Sequence, residues 1–338
     1  MLNITGDSVA RVCQVPSTLL PARVNQHVSI IRPDNSKLIP EYLKYFLLNP
    51  KFKNYMLGLA SVGGTRNALT KGMIEDFEID LPPLSTQRRI AEILSALDDK
   101  IELNRQTNAT LEAIAQAIFK EWFVNFNFPG ATGEMQESEL GLIPMGWRVG
   151  SILEVANLLS GGTPSTRIAE YWNGEIHWVS AKDVSNSNQT FILDTERKIS
   201  QFGIDNSSTK ILPELTTIIT ARGTVGNYSI LARPMTMNQT NYGLKAKVDS
   251  TDYFVFFSLG NLVAQLQKAA YGTIFDTVTT RTFEQSRIII PSNFLTQEFD
   301  RQIAPTMQAI LNNLEQSVTL TQIRDNLLPK LMRGEIGV

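Results

Sequence analysis

The chain has 338 residues, enough for two domains that each bury a core. Its composition is that of an ordinary globular protein, 43% hydrophobic and 19% charged, and its net charge of −2 argues against the indiscriminate nucleic-acid binding typical of basic domains. No stretch approaches the roughly 18 apolar residues that span a bilayer, and the first residues lack the pattern of a secretory signal. The single cysteine, Cys13, excludes an intramolecular disulfide and favours a reducing cytoplasm, and its apolar neighbours predict a buried strand residue.

The elements predicted in the first 90 residues recur about 210 to 215 residues later. Each copy has a short apolar segment, a helix, a glycine-containing turn, a strand that ends in proline, and a long helical run with a Thr-Gln pair. The matched segments are 4–5 with 219–220, 8–9 with 224–225, 24–26 with 237–239, 40–59 with 251–270, 63–66 with 272–273, 77–82 with 287–291, and 86–87 with 296–297. This self-similarity predicts a duplication of one module.

The two copies are unequal at the front. About 75 residues lead from Pro144 to Thr220 in the second copy, whereas four precede Thr5 in the first. Roughly 70 residues of the first module are therefore expected to be absent, which would expose apolar surface and strand edges. Two explanations stay open: a second chain or a second copy completes this module, or the chain is a shortened variant with one working module.

Two long helical runs follow the modules, and both have the four-and-three spacing of a coiled-coil seam. The first-run residues predicted to pair the helices or dock partners are Ile90, Leu94, Leu97, Ile101, Asn104, Asn108, Leu111, Ala115, Ile118 and Trp122. The second-run residues are Ile303, Met307, Ile310, Leu314, Ser317, Thr321, Leu328 and Leu331. Since both seams turn polar at the middle, an antiparallel pair is predicted. Pro305 is expected to kink or delay the second helix, and Pro329 to end its regular hydrogen bonding. The alternative is two separate amphipathic helices on two domain surfaces.

These patterns predict an α+β protein in five segments. They are the C-terminal part of a first module at 1–83, a helix at 84–128, a linker at 129–143, a second module at 144–294, and a helix at 295–338. The linker is assigned because its region is rich in Gly, Glu and Ser and poor in apolar residues.

No catalytic residue and no metal ligand is predicted. A phosphate-binding loop of the NTPase type is absent, and two histidines with one cysteine cannot form a zinc site or a Cys–His nucleophile. The sharpest competing pattern is Asp183 with Glu196 and Lys198, because Mg²⁺ nucleases use two carboxylates for the metal and a lysine for the water. The opposing interpretation makes Asp183 a turn cap and 196–198 a solvated charge run.

Polar loops of the second module are the candidate binding residues, because hydroxyls, amides and cations contact base edges and phosphates. The candidates are Thr163, Ser165, Arg167, Lys182, Arg222, Thr224, Asn227 and Thr273. The segment from Met145 to Leu295 carries 13 Lys and Arg against 12 Asp and Glu, so partners would have to supply much of the attraction to phosphate. For any one loop, an ordinary β-turn is the alternative.

Several segments carry a specific resemblance. The sequence Leu-Pro-Pro-Leu-Ser-Thr-Gln at 81–87, continued to 91 and through 97–101, looks like the central conserved region of type I restriction–modification specificity (S) subunits. The entry to the second module at 141–147, and 161–165, 178–183 and 238–239 within it, are similar to the recognition domain of that family. The match covers essentially the whole chain.

The resemblance implies two target-recognition domains, the first one partial, linked by long conserved helices that form an antiparallel coiled coil. Each domain would read one half of a bipartite site in double-stranded DNA, without catalysis or a cofactor in this chain. Partners would be two modification subunits, which methylate adenine with S-adenosylmethionine, and restriction subunits that use ATP and Mg²⁺; no membrane is involved. The competing hypotheses are a helix-mediated scaffold without DNA reading and, least favoured, the nuclease.

Overall fold

The computed structural model describes residues 1–61, 67–187, 189–222, 224–249, 251–269 and 277–338, which form two compact units. Unit 1 comprises Met1–Arg105 and Gln316–Val338, and unit 2 comprises Gln106–Glu315. Both boundaries fall within helices of 40 residues, so each unit contains part of both helices. The predicted α+β class is confirmed. Among the described residues, no helix is both long and apolar enough to cross a membrane.

Unit 1 is mainly helical. Strands β1 (Leu2–Asn3) and β2 (Val28–Ser29) pair antiparallel, and helices α1 (Pro40–Leu48), α2 (Pro50–Ser61) and α3 (Lys71–Glu75) precede the long helix α4 (Leu84–Phe123). Pro40 suits the first turn of α1, where a backbone N–H has no helical partner. The core packs α1 and α2 against the first part of α4 and the last part of the C-terminal helix α9 (Asn293–Met332), through Tyr42, Tyr45, Leu47, Met56, Leu94, Leu328 and Leu331.

A buried glutamine anchors the start of α4 within unit 1. The Gln87 side chain, 1% exposed, accepts a hydrogen bond from the Ile39 N–H and donates to the carbonyls of Lys37 and Pro82, at 2.9 to 3.0 Å. The Gln297 side chain of α9 donates in the same way to the Asp249 carbonyl at 3.2 Å. The recurring Thr-Gln pair therefore marks the same helix entry in both copies.

Unit 2 contains most of the strands. Its elements are β3 (Met135–Ser138), β4 (Gly141–Pro144), β5 (Arg148–Ser151), β6 (Ala156–Ser160), β7 (Ile176–Val179), α5 (Ala181–Ser187), β8 (Phe191–Ile192), β9 (Arg197–Ile199), α6 (Gln201–Asp205), β10 (Thr217–Thr220), β11 (Tyr228–Leu231), β12 (Thr236–Met237), β13 (Asn241–Ala246), α7 (Asp252–Ala269), α8 (Thr280–Gln285) and β14 (Arg287–Ile290). One sheet has the order β6-β13-β10-β11-β8 and another β12-β7-β9, while β5 pairs with β14 and β3 with β4. An aromatic core of Phe119, Trp122, Phe123, Phe254, Phe257 and Phe299 joins α4, α7 and α9 within this unit.

Part of the segment predicted as a linker forms a strand pair. β3 and the start of β4 form an antiparallel hairpin inside 129–143, with Ser138 opposite Gly141. Gly141 takes a positive φ of 95°, which closes the turn at no steric cost. The hairpin escaped the sequence pattern because its strands are four residues long and half-exposed.

The antiparallel helix pair is confirmed. In unit 1, Arg324 contacts Asp98 at 2.8 Å and Ser317 contacts Asn104 at 3.2 Å, so descending positions on α9 meet ascending positions on α4. In unit 2, Asn108 donates to the Ile310 carbonyl at 3.1 Å and accepts from Asn313 at 2.8 Å. The polar centres of the two seams therefore meet, as the spacing predicts. The other seam positions on α4 and α9 are buried or half-buried: Ile90, Leu94, Leu97, Ile101, Leu111, Ala115, Ile118, Trp122, Ile303, Met307, Leu314, Thr321, Leu328 and Leu331.

The two prolines do not interrupt α9. The expectation that Pro305 delays the helix is wrong, because α9 already begins at Asn293. The expectation that Pro329 ends its regular hydrogen bonding is also wrong, because α9 continues to Met332 and the Arg333 N–H donates to the Pro329 carbonyl at 3.2 Å. A proline removes one hydrogen bond of the helix. Burial of the flanking Ile303, Met307, Leu328 and Leu331 stabilises the helix on either side of each proline.

Replacing Asn104 with leucine is expected to stabilise the helix pair of unit 1 and to loosen its register. Asn104 is 2% exposed and donates to Gln316 and Ser317, both of which still reach water when the amide is gone. Exchange of a seam amide for an apolar side chain raises coiled-coil stability, here by about 1 kcal/mol. Urea unfolding followed by circular dichroism measures this, with the exposed Thr107→Leu as the control. A lower midpoint for Asn104→Leu would contradict the prediction.

Asp98 joins three elements of unit 1 through charged hydrogen bonds. Burial alone would raise its pKa, but hydrogen bonds from Lys44, Arg324 and Tyr45 outweigh burial and hold the pKa below its ordinary value. Because the folded-state pKa is the lower one, this stabilisation is present above the unfolded pKa of about 4 and is lost as the pH falls through the folded value. We expect Asp98→Asn to lower the unfolding free energy by about 2 kcal/mol at pH 7, and the difference from wild type to shrink below about pH 4. Denaturant unfolding of both proteins between pH 7 and about pH 3 tests this prediction. If the difference in unfolding free energy between wild type and Asp98→Asn did not depend on pH, the electrostatic cause would be refuted.

The duplication appears in matching backbone hydrogen bonds. In unit 1, the Leu69 N–H donates to the Ile4 carbonyl at 2.8 Å, and the Ile4 N–H donates to the His27 carbonyl at 2.9 Å. In unit 2, the Val278 N–H donates to the Ala221 carbonyl and the Ala221 N–H donates to the Thr240 carbonyl, both at 3.0 Å. Ala10 and Gly226 both take a positive φ, 65° and 89°, in matching turns.

The hydrogen bonds correct the first of the matched segments. These bonds make Ile4 equivalent to Ala221, and Leu2 therefore equivalent to Ile219. The repeated residues of the sequence instead match Ile4 with Ile219, which is an error of two residues. A two-residue slip keeps every side chain on its face of the strand, so apolar patterning does not detect it. A second expectation also fails, because Cys13 is exposed and lies outside the strands.

Candidate nucleic-acid interface

Strand register brings three loops and the start of helix α5 together at one end of the main sheet of unit 2. β6 ends at Ser160, opposite Tyr242, and β10 ends at Thr220, opposite Asn241. The loops after β6 and β10 therefore lie at the end of the sheet where β13 begins. β7 and β12 run parallel and pair Val179 with Met237, so the loops that follow them also start side by side. We call residues 161–167, 221–222, 224–227 and 238–240 of the loops, together with residues 180–185 at the start of α5, the polar edge.

Backbone contacts hold the loops of the polar edge together. Gly162 N–H donates to the Met237 carbonyl and Asn238 N–H to the Val179 carbonyl, both at 2.9 Å, and the Trp178 indole donates to the Gly162 carbonyl at 2.9 Å. Gly161 lies so close to this strand end that a Cβ there would overlap the backbone carbonyls of Met237 and Asn238. The loops are therefore fixed by buried strands, which gives their side chains defined positions.

The predicted residues after β6 lie on this edge. The Thr163 hydroxyl donates to the Gln239 side chain, which links the first and last loops, and Arg167 is exposed. The backbone carbonyl of Ser165 accepts a hydrogen bond from the Trp172 indole N–H at 3.1 Å, which helps to fix the shape of the loop.

Helix α5 and the loop after β10 contribute a second group. Lys182 is exposed and paired with Glu196 at 2.6 Å, a hydrogen bond that raises the pKa of Lys182. One turn later, Ser185 contacts the Thr224 hydroxyl and accepts from the Asn227 amide at 3.2 Å. Arg222 is exposed beside these residues, and its backbone bridges to Thr277.

Seven of the eight predicted binding residues thus belong to one edge, and Thr273 lies outside the described residues. Sequence reasoning missed Gln239 and Ser185. The signal for Gln239 was available, because Asn238-Gln239 recurs as Asn25-Gln26 in the first copy. Ser185 had no comparable signal, since only its contact with Thr224 and Asn227 places it on this edge.

The polar edge also has a partial equivalent in unit 1. Gln26 and His27 occupy the positions of Gln239 and Thr240, and the Thr5 hydroxyl contacts the His27 ring at 2.7 Å. The glycine turn at 63–66 lies outside the described residues.

The nuclease pattern has a structural explanation. Asp183 accepts hydrogen bonds from the backbone and hydroxyl of Ser180, at 2.8 and 2.6 Å, and from the Glu196 N–H at 2.9 Å, so it caps the start of α5. The Glu196 carboxylate is occupied by Lys182. Within the described ranges, no group of three His, Cys, Asp or Glu side chains could hold a metal ion. The adjoining Arg197 is exposed, and its guanidinium stacks over Trp172 at 3.4 Å from the ring centroid.

Comparison with known proteins gives a consistent result. The family model of the type I restriction modification DNA specificity domain matches residues 19–113 and 144–324. The HindI specificity subunit of Haemophilus influenzae is 26% identical over 93% of this chain and 81% of its own length. The MjaIX specificity subunit of Methanocaldococcus jannaschii is 29% identical over 94% of this chain and 74% of its own length.

A solved structure shares the fold. The S subunit of a type I restriction–modification system from M. genitalium superposes with a TM-score of 0.55 at 16% identity, over 88% of this chain and 74% of that one. Because the family model matches both copies of the module and most of α4 and α9, the chain belongs to the type I restriction–modification DNA specificity family.

Proposed function

We propose that this chain is the DNA sequence-recognition subunit of a type I restriction–modification complex and that the polar edge of unit 2 contacts its target. The observation that carries the proposal is the convergence of three polar loops and the start of α5 at one end of the main sheet. Hydroxyls, amides, Lys182 and Arg222 lie together there, and this combination contacts both phosphates and base edges. The chain contributes recognition, and the chemistry belongs to its partners.

Those partners are two modification subunits, which methylate adenine with S-adenosylmethionine, and restriction subunits that use ATP and Mg²⁺, all in the cytoplasm. Exposed apolar side chains on the long helices support docking there, because isolated helices in water favour polar outer faces. They are Leu103, Ile114, Val318 and Ile323. Basic surface on these partners would compensate for the near-neutral charge of this chain.

The test is methylome sequencing of cells that express the chain with its modification subunits, followed by binding of the reconstituted complex to the motif found. We expect one methylated motif and a preference for it of at least 10³-fold over scrambled DNA at physiological salt. A complex that assembles but shows no sequence preference at any salt concentration would support the scaffold hypothesis instead.

A further inference from the structure

One cation in the charge run at 196–198 has no acidic partner. Glu196 pairs with Lys182 at 2.6 Å, and Lys198 lies 3.8 and 3.9 Å from two carboxylates. Within the part of the chain that the structure describes, no carboxylate lies within ion-pair distance of the Arg197 guanidinium, and none of its N–H groups makes a hydrogen bond. Because this side chain is also exposed, its donors are available to a ligand.

Aromatic stacking fixes the orientation of this guanidinium. Its central carbon lies 3.4 Å from the centroid of the Trp172 ring and 5.8 Å from that of Trp178. At the shorter separation the guanidinium and the Trp172 ring must be nearly parallel, because an edge-on guanidinium would push a nitrogen into the ring. The N–H donors of Arg197 therefore lie in one plane and point along it, away from the ring face.

The two tryptophans that contact this guanidinium also hold the loop after β6. The Trp172 indole donates to the Ser165 carbonyl at 3.1 Å. The Trp178 indole donates to the Gly162 carbonyl at 2.9 Å. On the side of α5, the backbone N–H of the residue before the arginine donates to the Asp183 carboxylate at 2.9 Å. The guanidinium is thus held beside two parts of the polar edge, although no residue of β9 belongs to that edge.

We propose that Arg197 reads a guanine of the DNA target and that Trp172 holds its guanidinium in position. Guanine presents two acceptors, O6 and N7, on its major-groove edge, and the paired donors of a guanidinium match both at once. A mobile cation suffices to contact a phosphate, whereas a bidentate contact with a base needs the fixed plane that the stack provides. This inference rests on the DNA-recognition function proposed above.

The test uses the reconstituted complex and duplexes in which each G·C pair of the methylated motif is replaced in turn. We expect the wild type to prefer the intact motif to one of these duplexes by about tenfold or more. Arg197→Ala and Arg197→Lys should each reduce that preference to less than about threefold, because lysine keeps the charge but not the paired donors. Lys198→Ala is the matched control and should keep the wild-type preference, since neighbouring side chains of a strand point to opposite faces.

The other outcomes overturn the inference in separable ways. If both variants lose affinity equally for every duplex and the salt dependence falls by about one ion, Arg197 contacts a phosphate and not a base. A fall in the melting temperature of both variants, measured by circular dichroism, in step with the lost preference makes Arg197 a structural residue. Variants that keep a wild-type preference overturn this inference alone, whereas a wild-type complex without any sequence preference overturns the proposed function and this inference with it.

Discussion

Replacing Arg222 with alanine is expected to weaken sequence-specific DNA binding by about tenfold or more without destabilising the protein. Arg222 is exposed on the polar edge, and its backbone, not its side chain, bridges to Thr277. A guanidinium that contacts a guanine contributes about 1–3 kcal/mol of discrimination, whereas a phosphate contact mainly sets the salt dependence. Binding of the reconstituted complex to target and scrambled DNA, measured across salt concentrations, distinguishes these two roles.

Lys182→Ala is expected to weaken binding in the same assay, because its ion pair with Glu196 is exposed and exchangeable. Arg287→Ala is the matched control, since Arg287 is an exposed arginine of unit 2 on β14, outside the polar edge. All four tryptophans lie in unit 2, so tryptophan fluorescence during heating reports the stability of this unit. A melting temperature that falls in step with affinity would make Arg222 or Lys182 a structural residue and contradict the assignment.

Gly161→Ala is expected to destabilise unit 2 by about 2–3 kcal/mol and to abolish recognition. The new methyl group would overlap the Met237 and Asn238 carbonyls and lie 2.7 Å from the Asn238 carbonyl carbon, so the backbone itself must move. That movement separates the loop after β6 from the loop after β12 and breaks the contact between Thr163 and Gln239. Both the melting temperature and DNA binding should therefore fall.

The same substitution at Gly58 is the control. Gly58 lies inside α2, and a Cβ there meets nothing within 4 Å. Because alanine favours a helix over glycine, Gly58→Ala should stabilise unit 1 by about 0.5–1 kcal/mol. If the Gly161→Ala variant has the melting temperature of the wild type and binds DNA normally, the close approach of the loops after β6 and β12 does not organise the polar edge.

Much of the candidate site was accessible from the sequence. Thr163, Lys182, Arg222 and Asn227 follow apolar strands, and a polar loop that follows a buried strand is held at the sheet surface. The partners within the edge were not accessible. Ser185 contacts Thr224 and Asn227 across 39 and 42 residues of chain, and no local pattern encodes such a pairing.

The sequence by itself determined the long helices, their antiparallel pairing and the duplication, because these depend on local periodicity and on repeated residues. A seam spaced by four and three, with Asn104 and Ser317 at the polar centre, leaves one arrangement that buries the apolar positions and pairs the amides. Only the tertiary structure decided the register of the first repeat, the continuity of α9 through Pro305 and the exposure of Cys13. Each of these depends on neighbours distant in the chain: a two-residue slip preserves strand patterning, helix packing offsets a lost hydrogen bond, and an apolar segment is buried only where another part of the chain covers it.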